Sequence, residues 1–127
     1  MRNRKKMLLL VDDDCRQLAA RKHILEHSGY EVLTAGDARD GMHLFESETP
    51  DAVVLDYEMP SVNGGVLAAK IRRLNEVVPI VMLSGCTSVP ASALRAVNAF
   101  ISKPTAPSVL INVIEFWTAC RRQGAIA

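Results

Sequence analysis

The sequence predicts an α/β domain, with helices wrapped on both faces of a parallel sheet. Two observations predict it. Short, continuous apolar runs of strand length recur along the chain. Segments with helical apolar spacing separate them, so strand and helix alternate throughout.

Met7 to Val11 is an uninterrupted apolar run, the signature of a strand buried on both faces. A helix is expected from about Cys15 to Ser28, with Leu18 and Leu25 at i,i+7 and Ala20 and Ile24 at i,i+4. Asp14 suits its N-cap, with Gln17 placed three residues on for a capping box, and Gly29 stops it. Glu31 to Ala35 reads as the second strand. Ala38, Met42 and Phe45 mark one face of the second helix, which Pro50 ends. Ala52 to Asp56 is the third strand. Gly64 to Leu74 is the third helix, striped by Leu67, Ile71 and Leu74. Pro79 to Leu83 is the fourth strand. Pro90 to Val97 suits a short fourth helix, and Phe100 and Ile101 a short fifth strand. The last helix runs from Ala106 to about Arg121, with Val109, Val113, Phe116 and Cys120 expected on its inner face.

The whole chain, residues 1–127, fits one domain with its core over about 7–121. Apolar residues make up 49% of it, enough to build a core, and with aromatics at 5% that core is mostly aliphatic. A formal net charge of +1 argues against electrostatic binding of nucleic acid. The basic start, through Lys6, reads as a solvated terminus. No apolar stretch is long enough to cross a membrane. Cys15, Cys86 and Cys120 are odd in number and widely spaced, which predicts a reduced, cytoplasmic protein rather than a disulfide or zinc framework.

Ligands of such sheets bind beyond the carboxyl ends of the strands. There the sequence places Asp12, Asp13 and Asp14 after the first strand, Asp56 after the third, Ser84 and Gly85 after the fourth, and Ser102, Lys103 and Pro104 after the fifth. Crowded carboxylates either take up protons or bind a cation. Carboxylates beside water and phosphate oxygens suit Mg²⁺. Lys103 adds a point charge able to hold a phosphoryl oxygen, and Ser84 a hydroxyl donor. This set fits phosphoryl transfer to a carboxylate, with Asp56 as nucleophile. Neither a serine-protease-like triad nor a glycine-rich phosphate loop is present.

The blocks Leu9 to Asp13, Val53 to Pro60 with Asn63 and Gly64, Ile80 to Ser84, and Phe100 to Pro104 resemble, in order and spacing, the response-regulator receiver family of two-component signalling. The resemblance covers nearly the whole chain. It implies a flavodoxin-like (βα)5 fold with strand order 2-1-3-4-5. It implies that Asp56 is the phosphorylated aspartate, that Asp13 and Asp56 ligate Mg²⁺ (or Mn²⁺), and that Asp12 acts on the metal through water. The main-chain carbonyl of Glu58 would be a further ligand, Lys103 the phosphate-holding lysine, and Ser84 with Phe100 the switch pair. A cis Lys103–Pro104 bond is implied too. The donor would be a phosphohistidine on a histidine kinase or histidine phosphotransfer protein, and the output a downstream protein or a further domain. The segment between Ser84 and Lys103 is shorter than the family's usual one and contains Pro90, which predicts a short or irregular fourth helix.

Glu58 and Cys86 occupy positions that flank the acceptor in the family, either tuning water access or serving as ordinary loop side chains. His23 and His27, at i,i+4, read as solvent-facing, as does His43; Trp117 reads as a packing anchor. Two other functions compete. One is a phosphorylation-independent interaction module on the same fold. The other is an aspartate-nucleophile phosphatase of the haloacid-dehalogenase type, which would want an aspartate where Glu58 stands.

Overall fold

The computed structural model describes residues 4–85 and 88–126, with 121–126 described by backbone only. Five strands and five helices alternate: β1 (Met7–Val11), α1 (Cys15–His27), β2 (Glu31–Ala35), α2 (Ala38–Glu48), β3 (Ala52–Asp56), α3 (Gly64–Leu74), β4 (Ile80–Ser84), α4 (Ala91–Leu94), β5 (Ala99–Ser102) and α5 (Pro107–Ile126). The strands form one parallel sheet in the order β2-β1-β3-β4-β5. This is the predicted (βα)5 arrangement.

Alternation along the strands divides the core into two layers, because successive side chains point to opposite faces. Leu8 and Leu10 of β1 join Val54, Val81 and Leu83 beneath α1 and α5, packing on Leu18, Leu25, Leu110 and Ile114. Leu9 and Val11 join Val53, Leu55 and Ile80 on the other face, against Phe45 of α2 and Leu67, Ala68 and Ile71 of α3. The central strands β3 and β4 are buried along their whole length. That explains why they read as unbroken apolar runs. Each fully buried Leu or Ile side chain stabilises the fold by about 1.5–3 kcal/mol.

The starts of α1, α2 and α3 follow the capping rule. The Asp14 carboxylate accepts from the amides of Arg16 and Gln17, Asp37 from Asp40, and Asn63 from Val66. Gly29, at φ 99°, takes the left-handed turn after α1. At the end of α2 the left-handed position falls on Thr49 (φ 47°), just ahead of Pro50.

Several expected details shift. Gln17 does not complete a capping box; its side-chain oxygen instead accepts from Arg21 and Lys103, as described below. Leu74 is exposed, and Ala68 takes its place on the buried stripe of α3. On α5 the inner face is Leu110, Ile114 and Thr118, while Val109 and Phe116 are exposed, Val113 is partly buried and Cys120 half-buried. The helix is apolar nearly all round there, so its apolar residues alone do not single out the face that packs. Trp117 is half-buried and meets Phe116 edge-on. Helix α4 is a single turn after Pro90, as the short segment predicted.

Arg72 compensates for that short turn. Its guanidinium donates to the carbonyls of Ala96 (2.8 and 3.0 Å), Val78 (2.7 Å) and Glu76 (3.1 Å) and to Asn98 Oδ1 (2.8 Å). One side chain thus ties the end of α3 to both the α3–β4 loop and the α4–β5 connection and satisfies their carbonyls.

Candidate functional site

Four adjacent strands deliver the site. Asp12 follows β1, Asp56 ends β3, Ser84 ends β4 and Lys103 follows β5. The β1–β3 and β3–β4 registers set Val11 beside Leu55 and Asp56 beside Leu83, so the strand ends lie level. Parallel pairing is therefore what gathers the predicted polar residues.

Asp12 is buried and held on both oxygens. Its Oδ1 accepts from the Asp14 amide (2.9 Å), and its Oδ2 accepts from Arg21 Nη1 (2.9 Å) with Lys103 Nζ at 3.8 Å. Asp13 is exposed beside it. Carboxylate oxygens of Asp12, Asp13 and Asp56 all lie within 4.8 Å of one another.

Asp56 is buried, 5% exposed. Lys103 Nζ stands 2.9 Å from its Oδ1 as an ion pair. Among the described residues no second donor reaches this oxygen. Burial is the main cause that pushes the Asp56 carboxyl up, to about 6; the negative charges of Asp12 and Glu58 add to it, and Lys103 opposes it. The donor set thus fits a divalent cation: clustered carboxylate oxygens, one of them buried and under-coordinated, with open access from Asp13.

Glycine shapes the floor. The Gly64 amide donates to Tyr57 O (2.9 Å), folding the β3–α3 loop back on the strand end. A Cβ on Gly64 would overlap the Asp56 carbonyl oxygen and lie 3.0 Å from Tyr57 Cα, so only glycine permits this approach.

Ser84 is fully buried, and its hydroxyl donates to the Glu58 carboxylate, which also accepts from the Gly85 amide (3.4 Å). The Glu58 side chain thus reaches from its loop to the end of β4. Cys86 lies outside the described residues. Lys103 completes the site: its amide donates to Ser84 O (2.8 Å), its peptide bond to Pro104 is cis, and its ammonium donates to Gln17 Oε1 (3.2 Å). Phe100 sits on β5, 38% exposed. His23, His27 and His43 are exposed, as expected of solvent-facing helix positions.

Sequence reasoning missed Arg21. It donates to Asp12 and, through Nη2, to Gln17 Oε1 (2.8 Å), which links α1 to Lys103. The available signal was its i,i+4 spacing from Gln17 on the helix that follows the acidic run. An open cleft of about 450 Å³, lined by Gln17, Arg21, Lys103, Pro104 and Thr105, leads to the lysine. A larger cleft of about 620 Å³ between α2 and α3 contains none of these residues.

Comparison with known proteins agrees with this geometry. Residues 8–115 match the family profile "Response regulator receiver domain". A CheY-like receiver domain protein from Methanospirillum hungatei superposes with a TM-score of 0.91 at 31% identity, covering 95% of this chain and 99% of that one. The response regulator TrrA from Thermotoga maritima, solved in complex with Mg²⁺ and beryllofluoride, gives a TM-score of 0.84 at 26% identity over 88% and 98% of the two chains. The transcriptional regulatory protein PrrA of Mycobacterium tuberculosis is 32% identical over 123 residues, 94% of this chain and 52% of PrrA. The chain thus spans about half the length of that relative. Among the described residues no helix is long and apolar enough to cross a membrane.

Proposed function

Because this chain belongs to the response regulator receiver domain family, we propose that Asp56 is its phosphoacceptor, taking a phosphoryl group from a phosphohistidine on a histidine kinase or histidine phosphotransfer protein. The observation that carries the reading is the buried Asp56 carboxylate, set within 4.8 Å of two other acidic groups and 2.9 Å from Lys103.

In the transfer, a carboxylate oxygen of Asp56 attacks phosphorus and the P–N bond to the donor imidazole breaks, leaving an aspartyl phosphate and a neutral histidine once that nitrogen is protonated. With its carboxyl at about 6, Asp56 is ionised at neutral pH and able to attack. Asp13 and Asp56, with the Glu58 main-chain carbonyl, would hold Mg²⁺ directly, and Asp12 through water. Bound there, Mg²⁺ offsets the charge that accumulates on the transferring group. Arg21 and the Asp14 amide fix the Asp12 carboxylate, so little reorganisation is needed when the cation enters. The Lys103 ammonium, already at Asp56, is placed to take a phosphoryl oxygen.

Ser84 is the hydroxyl that turns to the phosphoryl group, and Phe100 the aromatic that follows it inward. That exchange alters the face built by α4, β5 and α5, which a downstream protein or a further domain would read. The domain serves its own phosphorylation and dephosphorylation rather than acting as a metabolic enzyme. Incubation with acetyl phosphate or phosphoramidate and Mg²⁺, followed by intact-mass measurement, tests this. A gain of one phosphoryl group, lost with chelator, is expected. A folded sample that gains none would favour the phosphorylation-independent module.

A further inference from the structure

We propose that Glu58 is a latch on the switch: its carboxylate holds the Ser84 hydroxyl away from the acceptor, so a phosphoryl group must take that hydroxyl from Glu58 before the domain can change state. The inference rests on the reading of Asp56 as phosphoacceptor and Ser84 as switch hydroxyl.

The geometry is specific. Ser84 is fully buried at the end of β4, where a hydroxyl needs a partner. It donates to Glu58, and the same carboxylate accepts from the Gly85 amide at 3.4 Å. Glu58 therefore grips both the side chain and the next main-chain N–H of the segment that has to move. A charged acceptor makes a stronger hydrogen bond than a neutral one. The phosphoryl oxygens offer a charged acceptor of the same kind, so the two states compete for one donor. Glu58 itself reaches the site from the β3–α3 loop and is exposed, so the latch can swing to solvent without repacking the core. A contact made only in the unswitched state stabilises that state and weakens whatever binds the other.

The test is a double-mutant cycle on the affinity for beryllofluoride in saturating Mg²⁺, using wild type, Glu58→Met, Ser84→Ala and the double variant. Glu58→Gln is added because it keeps an acceptor and removes the charge. Loss of the latch should tighten beryllofluoride binding about tenfold in Glu58→Met, less in Glu58→Gln, and not at all when Ser84 is already alanine. In samples without beryllofluoride, the Gly85 amide and Phe100 ring resonances should move toward their bound positions in Glu58→Met. Equal tightening in the Ser84→Ala background would show a plain charge effect and overturn the latch. So would unchanged affinity in Glu58→Met. Failure of wild type to bind beryllofluoride, with Asp56→Asn as the negative control, would overturn the phosphoacceptor reading and the latch with it.

Discussion

Replacing Asp56 by asparagine should stabilise the domain in the absence of divalent cations. The carboxyl is pushed up from 3.8 to about 6, chiefly by burial, with Asp12 and Glu58 adding and Lys103 opposing. A raised carboxyl means the folded state binds the proton more tightly than the unfolded chain does. Stability from this group is therefore greatest at low pH, falls as pH rises through the window from about 4 to about 6, and stays low above it. At about 1.4 kcal/mol per pH unit, ionised Asp56 costs about 3 kcal/mol at pH 7.5. The uncharged amide of the Asp56→Asn variant avoids that cost. For a domain of this size the gain corresponds to a rise of about 10 °C in Tm. Thermal unfolding of both proteins in chelator between pH 4 and pH 8 measures it. The gap should open across the window and plateau above it, and Mg²⁺ should narrow it by stabilising wild type. A gap that is absent, reversed or independent of pH would refute the electrostatic account of this site.

Lys103→Met should raise the Asp56 carboxyl above about 6, since Lys103 is the group that opposes burial; carbon-detected NMR titration in chelator reads the shift directly. Gly64→Ala should destabilise the domain by about 3 kcal/mol, because a Cβ overlapping the Asp56 carbonyl oxygen forces backbone apart, and thermal denaturation with a Tm lower by about 10 °C would show it. Arg72→Met should cost about 2–3 kcal/mol by stripping donors from the Ala96 and Val78 carbonyls, with faster amide exchange at Ile80, whose N–H donates to the Asn98 side chain that Arg72 holds.

The sheet was readable because β3 and β4 are buried on both faces and carry nothing but apolar side chains before Asp56 and Ser84. The site was readable for the same reason: parallel registry makes strand ends neighbours, so Asp12, Asp56, Ser84 and Lys103 could be brought together before any coordinate was known. Helix faces were less legible. Leu74 and Phe116 fit the apolar stripes yet are exposed, because spacing alone does not show which part of a stripe a neighbour covers. Contacts that cross between elements were hidden. Gln17 suited a capping box, but its side chain serves Arg21 and Lys103, residues from its own next turn and from the far edge of the sheet. Glu58 was placed beside the acceptor by its position, but that it reaches the buried Ser84 hydroxyl depends on how the β3–α3 loop folds back at Gly64.

The most direct measurement is the location of the phosphoryl group itself. After reaction with phosphoramidate and Mg²⁺, reductive trapping by borohydride converts an aspartyl phosphate to homoserine, and peptide mapping then finds the modified position. Conversion at Asp56 alone, absent in chelator, is the expected result. Conversion at Asp12 or Asp13 with Asp56 untouched, or no conversion at any aspartate, would contradict the account.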